Sequence, residues 1–406
     1  MKITMISNYI NHHQIPFSDA LYEKLGANYR FIQTEPMEEE RIQMGWGVEA
    51  ERIPYVVFLE KQLELCKQLI ESSDILLVGW MEREDLIAER LKSNQLTIRI
   101  SERLYREGQW KAISPKGLLR KYKEHTSHRK HPVYLLCAGA YVPSDFSIVK
   151  SYPDKMYRFG YFPEFKEFTK EQLQNMHVWG ERKNQEEIQI VWAGRFIGLK
   201  HPEFAVKLAE SLKKQGFRFH LHMVGGGELD GELKQTVKQK ELQNQVTFYG
   251  FLKPPQVRKV MEQCHIHLFT SNYLEGWGAV VNEGMNSGCV EVANVEVGAA
   301  PFLIQHGTNG LVYKDGSYED MEKQIIYLLE HPAKALEMGL AAYDTIATQW
   351  NATEAAKRLL KFYEGWKKGE IRVPAEGPFS PAPVIAPKKM YEYMTDSNRN
   401  QVTIQL

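Results

Sequence analysis

Short β-type runs alternate with helix-patterned stretches twice along this chain, and few folds accept that order. The first block contains "KITMIS" (2–7), "YRFIQT" (29–34), "PYVVFL" (54–59), "DILLVGW" (74–80), "LTIRIS" (96–101), "VYLLCAG" (133–139) and "KMYRFGYF" (155–162). The second contains "IQIVWAG" (188–194), "FRFHLHMVG" (217–225), "QVTFYGF" (245–251), "HIHLFTS" (265–271), "CVEVANV" (289–295) and "GLVYKD" (310–315). Helical patterns lie between most of them, at 16–25, 83–93, 202–215, 228–240 and 255–263, with Pro16 at the start position of the first. Strands that alternate with helices in this way form parallel sheets covered on both faces. The two blocks predict an α/β chain of two Rossmann-like, doubly wound domains facing across a cleft.

The stretches outside the blocks suggest boundaries. Residues 163–187 are polar and rich in Glu, Lys and Gln, which reads as a surface helix and linker. Residues 317–368 are helix-patterned throughout, and "RVPAEGPFSPAPVIAPKK" from 371 is Pro-rich, which predicts an extended or disordered tail. The expected division is therefore 1–165, a linker at 166–187, 188–350, a C-terminal helix at 351–370 and a flexible tail at 371–406. A length of 406 residues suits two domains. Lys+Arg and Asp+Glu both number 51, so no global field draws the chain to nucleic acid and any basic attraction is local. Cys66, Cys137, Cys264 and Cys289 show neither a CxxC pair nor metal-type spacing, and predict buried thiols in a reducing compartment. The N-terminus lacks the apolar core of a signal peptide, and no stretch approaches the roughly 20 apolar residues of a spanning helix. A cytoplasmic protein is expected, and the "NAT" sequon at Asn351 is then a chance match.

Ligands of open parallel sheets bind beyond the carboxyl ends of the strands. After "IQIVWAG" come Arg195 and Lys200, a fork and a point charge suited to a diphosphate, or else two charges on a solvated turn. After "FRFHLHMVG" come Gly225, Gly226 and Gly227, which allow close backbone approach to a ligand or form a flexible turn. After "HIHLFTS" comes "LEGWGAVVNEGMNSG", where Gly276 and Gly278 flank Trp277 and a helix begins near Gly278. A helix start favours phosphate. Glu275 precedes it, and Glu283 lies about one and a half turns further on, where a carboxylate can accept two ribose hydroxyls. The bland alternatives are a helix-surface acid at 283 and a favourable charge near a helix start at 275.

"EGWGAVVNEGMNSG" resembles the E-G-F-G-x-x-x-x-E-A-x-A-x-G signature of glycosyltransferase family 4, a family of retaining enzymes with the GT-B fold. "WAGRFIGLKHPEFAVKLAESL", "LHMVGGGEL", "VTFYGFLKPPQVRKVMEQCHIHLFTS" and "EVGAAPFLIQHGTNGLVY" resemble further segments of that family, in order, from about 188 to 315. The resemblance implies that Arg195 and Lys200 neutralise a donor diphosphate and that Glu283 holds the nucleotide ribose. It implies that Glu275 contacts the donor sugar near the reacting carbon. Gly276, Trp277 and Gly278 would approach the sugar-phosphate, and backbone near Phe251 and Leu252 would read the base. It further implies no cofactor and no metal, with a UDP- or GDP-sugar as donor substrate. Gly284 and Asn286 stand where the pattern has alanines, Ala299 and Ala300 replace its "G-x", and Phe302 stands where Glu is frequent.

The first block resembles the family much less. By the same resemblance it is the acceptor-side domain, and the helix at 351–370 packs back toward it. Where members often carry a Gly-Gly pair, this chain has "SNYINHHQIPF", which offers His12 and His13 to an acceptor or donor, or caps a loop with exposed histidines. After the middle strand, Glu102 is a candidate to polarise the acceptor hydroxyl with Arg103 setting its charge, and a structural salt bridge is the equal alternative. Tyr141 and Asp145 are candidates to line the cleft. Residues 111–131 hold seven Lys/Arg and one acid, a local positive patch suited to anionic membrane headgroups or to a solvated face.

These readings together imply a retaining hexosyltransferase that moves a sugar to a sugar or lipid-linked glycan acceptor in cell-surface polysaccharide biosynthesis, at the inner face of the cell membrane. The competing readings are a nucleotide-sugar epimerase, which would convert donor without acceptor, and a non-catalytic sugar-nucleotide-binding partner of another transferase.

Overall fold

The computed structural model describes residues 1–39, 47–177 and 187–396. Of the expected linker, 178–186 lie outside these residues, and so do 397–406 of the expected tail. The chain divides into two compact units, one of Met1–Glu164 with Gln349–Ile385, the other of Phe165–Thr348 with the chain from Ala386.

Unit 1 runs β1 (Ile3–Ser7), α1 (Ile15–Leu25), β2 (Tyr29–Gln33), β3 (Val56–Phe58), α2 (Leu63–Ser72), β4 (Ile75–Val78), β5 (Leu96–Ser101), α3 (Pro115–Lys121), β6 (Val133–Ala138), α4 (Val142–Ile148) and β7 (Met156–Phe159). Its seven strands are ordered β3-β2-β1-β4-β5-β6-β7 and every pairing is parallel, with Ile3 opposite Tyr29 on one side and Ile75 on the other. β1, β4 and β6 are buried at every position, as strands covered by helices on both faces must be.

Unit 2 runs α5 (Lys170–Met176), β8 (Ile188–Ala193), α6 (Pro202–Lys214), β9 (Phe219–Val224), α7 (Asp230–Gln239), β10 (Val246–Gly250), α8 (Pro254–Met261), β11 (Ile266–Phe269), α9 (Val280–Asn286), β12 (Val290–Asn294), α10 (Ala300–Leu303), β13 (Gly310–Tyr313), α11 (Tyr318–Glu330) and α12 (Pro332–Thr348). Its six parallel strands are ordered β10-β9-β8-β11-β12-β13. Trp192, Phe196, Leu208, Leu221, Leu268, Val292, Tyr313 and Ile325 fill the core where β8, β9 and β11–β13 meet the helices. Both strand orders are doubly wound α/β patterns.

The last helices divide between the units. α13 (Ala352–Lys368) packs on α1 in unit 1. Asn351 is its cap, with Oδ1 accepting the Glu354 N–H at 2.9 Å, so the sequon residue has a structural reason to be there. α14 (Met390–Thr395) belongs to unit 2, where the Tyr391 hydroxyl donates to Asp320 at 2.8 Å.

Two expectations need correction. The Pro-rich stretch is not a loose tail through its described length. It closes the free edge of β7: Arg158 N–H donates to Ser380 O at 2.8 Å, Phe379 N–H to Arg158 O at 2.8 Å and Ala382 N–H to Met156 O at 3.0 Å. Phe379 is buried, and Arg358 of α13 donates to the carbonyls of Glu376 and Pro378 at 2.6 and 3.0 Å. An edge strand offers unpaired backbone groups, and a proline is tolerated in the strand that covers it. The helix expected at 83–93 is instead two short 3₁₀ turns, Glu84–Ile87 and Arg90–Lys92. They carry the buried Arg90, whose guanidinium donates to the carbonyls of Ile70, Glu71 and Leu96 at 3.2, 3.2 and 3.0 Å. All four cysteines are free and buried.

Candidate active site

The sheet of unit 2 reverses direction of growth between β8 and β11: β9 and β10 extend to one side, β12 and β13 to the other. Loops leaving two such strands diverge, and the crevice between them at the carboxyl ends takes the ligand in folds of this class. Arg195 and Lys200 follow β8, Glu275 to Gly278 follow β11, and Glu283 sits in the first turn of α9.

The two loops are latched together. Asn272 N–H donates to Leu199 O at 2.9 Å. Thr270 Oγ1 points at the carbonyls of Lys200 and His201, at 2.6 and 3.0 Å, and accepts Trp192 Nε1–H at 2.7 Å. His201 adopts φ +47°, a left-handed turn that ends the loop before Pro202 starts α6. The latch brings Lys200 onto Glu275: Nζ donates to Oε2 and lies 5.4 Å from the Phe269 ring centroid. Arg195 is exposed, with no hydrogen bond or ion pair to its guanidinium among the described residues. Glu283 is partly buried, and burial pushes its carboxyl above the usual range against the opposing pull of Arg258 and His267.

The glycines sit where a side chain would be crowded. Gly278 has φ +84°, and a Cβ there would stand 2.8 Å from both Phe269 and Val297. A Cβ on Gly225 would stand 1.9 Å from Gly194 O, and one on Gly226 2.9 Å from the Phe251 ring. The turn after β9 thus needs glycine to lie on the turn after β8, where Gly194 N–H donates to Val224 O at 3.0 Å and Phe196 N–H to Gly226 O at 2.8 Å. Trp277 is 1% exposed, and its Nε1–H donates to Asn282 Oδ1 at 2.8 Å, so its indole is a wedge rather than a ligand contact. Its backbone is pinned by the segment after β12, with Ala299 N–H donating to Trp277 O at 2.9 Å and Gly298 N–H to Gly276 O at 3.2 Å. Phe251 is exposed beyond β10, and Leu252 packs on the cluster around Val191 and Val260.

Beneath α9 lies a pair that sequence reasoning missed. His267 and Glu291 face each other across the β11–β12 register, both fully buried, with His267 Nδ1 2.8 Å from each carboxylate oxygen. Burial pushes the Glu291 carboxyl up to about 6, against His267, which pulls it down. Gly284 rests on this pair, and a Cβ there would stand 2.0 Å from Glu291 Oε1 and 2.8 Å from His267 Nδ1. Asn286 is likewise committed: Oδ1 accepts Lys166 N–H at 2.9 Å and Arg258 Nη2–H at 2.7 Å, and Nδ2 donates to Lys166 O at 2.8 Å. These contacts account for the two departures from alanine. The available signal was His267 and Glu291, each flanked by apolar residues inside a buried strand, in "IHLF" and "VEVAN".

Unit 1 has a cavity of about 940 Å³ at the carboxyl ends of β1, β4 and β5, at the matching reversal between β1 and β4. Asn11, His13, Trp80, Glu82, Glu102 and Arg103 are among its walls. His13 is held neutral, its pKa lowered to about 3 by burial and by His12, whose ring lies 3.8 Å away and whose own pKa is lowered by burial. Glu102 accepts Arg106 Nη2–H on one oxygen and the Tyr161 hydroxyl at 2.8 Å on the other. Arg103 does not set its charge. Arg103 pairs instead with the buried Asp145, at 3.3 and 3.4 Å, and lies 5.1 Å from the Tyr141 ring centroid. Tyr141 and Asp145 are buried at the start of α4 rather than lining the cavity, because Asp145 also accepts Tyr105 N–H at 3.0 Å and Gln109 Nε2–H at 2.9 Å. Trp80, Tyr161 and the Arg99–Glu84 pair, at 2.9 and 2.6 Å, are cavity residues that the sequence did not single out. Among the described residues, no group of three or more His, Cys, Asp or Glu side chains is placed to hold a metal ion.

Residues 175–345 match the family model of Glycosyl transferases group 1. That group 1 region holds the whole of the unit 2 site. Among curated proteins, the amylovoran biosynthesis glycosyltransferase AmsK of Erwinia amylovora is 24% identical over 182 residues, 44% of each chain. The putative glycosyltransferase EpsF of Bacillus subtilis is 34% identical over 94 residues, 23% of this chain and 24% of that protein. The chain thus matches less than half the length of these curated relatives. Among solved structures, Anabaena HepE in complex with UDP has a TM-score of 0.63 at 15% identity, over 90% of this chain and all of that one. A glycosyltransferase from Rickettsia africae has a TM-score of 0.63 at 14% identity, over 91% of this chain and 99% of its own. These likenesses show the fold, the GT-B architecture of two Rossmann-like domains.

Proposed function

We propose that the chain is a retaining glycosyltransferase of family 4, moving a sugar from a UDP- or GDP-sugar to a sugar or lipid-linked glycan acceptor in cell-surface polysaccharide assembly. The observation that supports this reading is the Lys200–Glu275 pair at the β8–β11 reversal, where Arg195 also follows β8 and Glu283 lies in the first turn of α9. HepE, which shares the fold, is described with UDP bound. AmsK, which resembles the group 1 region, is named for amylovoran biosynthesis.

In this reading unit 2 takes the donor. Arg195 and Lys200 carry the negative charge that grows on the departing diphosphate, a task for which fixed cations need no metal or resident cofactor. Glu275 holds Lys200 in place before donor arrives and then meets the sugar. Glu283 accepts the ribose hydroxyls. Unit 1 takes the acceptor in its cavity, where neutral His13 can accept a hydroxyl proton in a hydrogen bond. The acceptor attacks the face that the diphosphate leaves, the C–O bond to phosphate breaks as the new glycosidic bond forms, and the leaving phosphate oxygen takes the acceptor's proton.

Arg195→Ala is expected to lower kcat by about 10²-fold or more, the scale of one lost charge-stabilising group. Kinetics near wild type would remove Arg195 from the diphosphate. Glu283→Ala is expected to weaken UDP or GDP binding in calorimetry; unchanged affinity for both would contradict the ribose assignment. Donor conversion in the absence of any acceptor, followed by NMR, would replace transfer with epimerisation.

A further inference from the structure

Fifteen large hydrophobic side chains are exposed among the described residues, and five of them fall between 110 and 122. Trp110 is 67% exposed, Ile113 80%, Leu118 40%, Leu119 57% and Tyr122 57%. Single exposed hydrophobics are ordinary, but a concentrated group marks a surface that something covers. The segment is a 3₁₀ turn (Gln109–Ile113), α3, and a π turn over Tyr122–Thr126. It is clamped at both ends. Gln109 Nε2 donates to Ser144 Oγ and Asp145 Oδ1, both at 2.9 Å. His125 Nδ1 lies 2.8 Å from the Tyr152 hydroxyl, and Thr126 Oγ1 2.7 Å from Ser151 Oγ. The exposed side chains are therefore held out by a fixed support.

We infer that this segment is a docking surface for an anionic lipid bilayer, with Trp110, Ile113, Leu118, Leu119 and Tyr122 entering the headgroup layer. Charge complementarity selects this occupant. Residues 111–131 carry seven Lys/Arg against one acid in a chain whose net charge is zero. Two copies of such a face would repel each other. Lysine supplies most of the charge around the apolar group, at 111, 116, 121 and 123, and lysine is depleted in protein–protein interfaces. On a membrane the same side chains lie along the apolar surface and leave the ammonium among phosphates. Apolar and aromatic side chains beside a basic face are the composition of segments that lie in the lipid interface.

The segment also supplies Arg120, Lys121, Glu124 and His125 to the wall of the unit 1 cavity. An acceptor entering that cavity would then come from the bilayer surface. That consequence rests on the transferase reading, whereas the docking itself does not.

The test is flotation of the full chain with phosphatidylcholine vesicles, with and without phosphatidylglycerol, at low and high salt. Wild type is expected to float with the anionic vesicles, less at high salt but still measurably, because insertion is not screened. Ile113→Asp with Leu119→Asp is expected to lower the bound fraction about tenfold or more at both salts, as loss of two inserted side chains requires, with an unchanged melting temperature. Lys116→Glu with Lys123→Glu is expected to abolish the preference for phosphatidylglycerol. The inference is overturned if wild type stays at the bottom of the gradient at both salts. It is overturned equally if the aspartate variant floats like wild type, or if sedimentation finds a dimer that the aspartates dissolve and vesicles do not bind. None of these readouts involves sugar transfer, so they stand or fall apart from the proposed activity.

Discussion

Gly284→Ala puts the smallest possible side chain where the resembled signature has alanine, and in this chain it should fail. The added Cβ would lie 2.0 Å from Glu291 Oε1 and 2.8 Å from His267 Nδ1. A carboxylate on the surface would swing aside at little cost, but Glu291 is fully buried and both of its oxygens face His267 at 2.8 Å. Moving it breaks a buried hydrogen bond to an ionisable group, which costs about 1.5–3 kcal/mol. Overpacking adds about 1–3 kcal/mol. Replacing glycine by alanine inside a helix returns about 1 kcal/mol. The net expectation is a loss of about 3 kcal/mol, which for a unit of this size lowers its melting temperature by roughly 6–12 °C. Calorimetry of the full chain should show that shift in one transition. Glu291→Ala vacates the space, so in that background the alanine at 284 should cost less than about 1 kcal/mol, a coupling of about 2 kcal/mol between residues in contact. A melting temperature within 1–2 °C (roughly 0.5 kcal/mol) of wild type, or additive effects in the double variant, would show that the pair does not dictate the glycine.

Further outcomes follow from the same contacts. Because the folded Glu291 carboxyl titrates at about 6 rather than 4.5, the unfolded chain binds fewer protons between those values, and stability falls as pH rises through them. Wild type should therefore lose about 2 kcal/mol relative to Glu291→Gln between roughly pH 4 and pH 7, and parallel stability curves for the two proteins would contradict this. Asn351→Ala removes the cap of α13 and should destabilise unit 1 by about 1 kcal/mol in urea titration, with Asn351→Asp close to wild type. Phe379→Ala should cost about 3–5 kcal/mol if the Pro-rich stretch is part of unit 1; a change under about 0.5 kcal/mol would return it to a loose tail.

Strand placement was legible because short β-type runs recur between helix patterns along both blocks, and every run read as a strand contains one. The 83–93 stretch misled because its apolar spacing fits a helix, while Arg90, a residue that looks like surface, decides the backbone by reaching three carbonyls from the α2 and β5 segments. The Pro-rich stretch misled for a related reason. Composition reports what a segment can do alone, and the edge of β7 that accepts it lies more than two hundred residues away in sequence. In the site, Arg195, Lys200 and Glu275 were legible as residues that follow strands. The partner of Arg103 was not, since Glu102 is its neighbour in sequence and Asp145 is its neighbour in space.

The glycines separate what a motif shows from what it is for. Gly225 and Gly226 read as room for a ligand, but the missing Cβ of Gly225 is required by Gly194 O, and that of Gly278 by Phe269 and Val297. Trp277, between Gly276 and Gly278, is a buried wedge. The turn after β11 is thereby fixed from below by Trp277 and from the side by Gly298 and Ala299. What remains adjustable at the carboxyl ends of β8 and β11 is a small set of charged side chains. Lys200 and Glu275 are paired, and Arg195 makes no comparable bond among the described residues. Under the proposed function an incoming diphosphate meets Arg195 at no cost in broken pairs and must compete with Glu275 for Lys200. Removing Glu275 with Glu275→Gln should therefore tighten nucleoside diphosphate binding by freeing Lys200 while slowing transfer, a split between affinity and kcat that loss of a purely structural salt bridge would not produce. If calorimetry and kinetics instead fall together, Glu275 supports the loop and does nothing more.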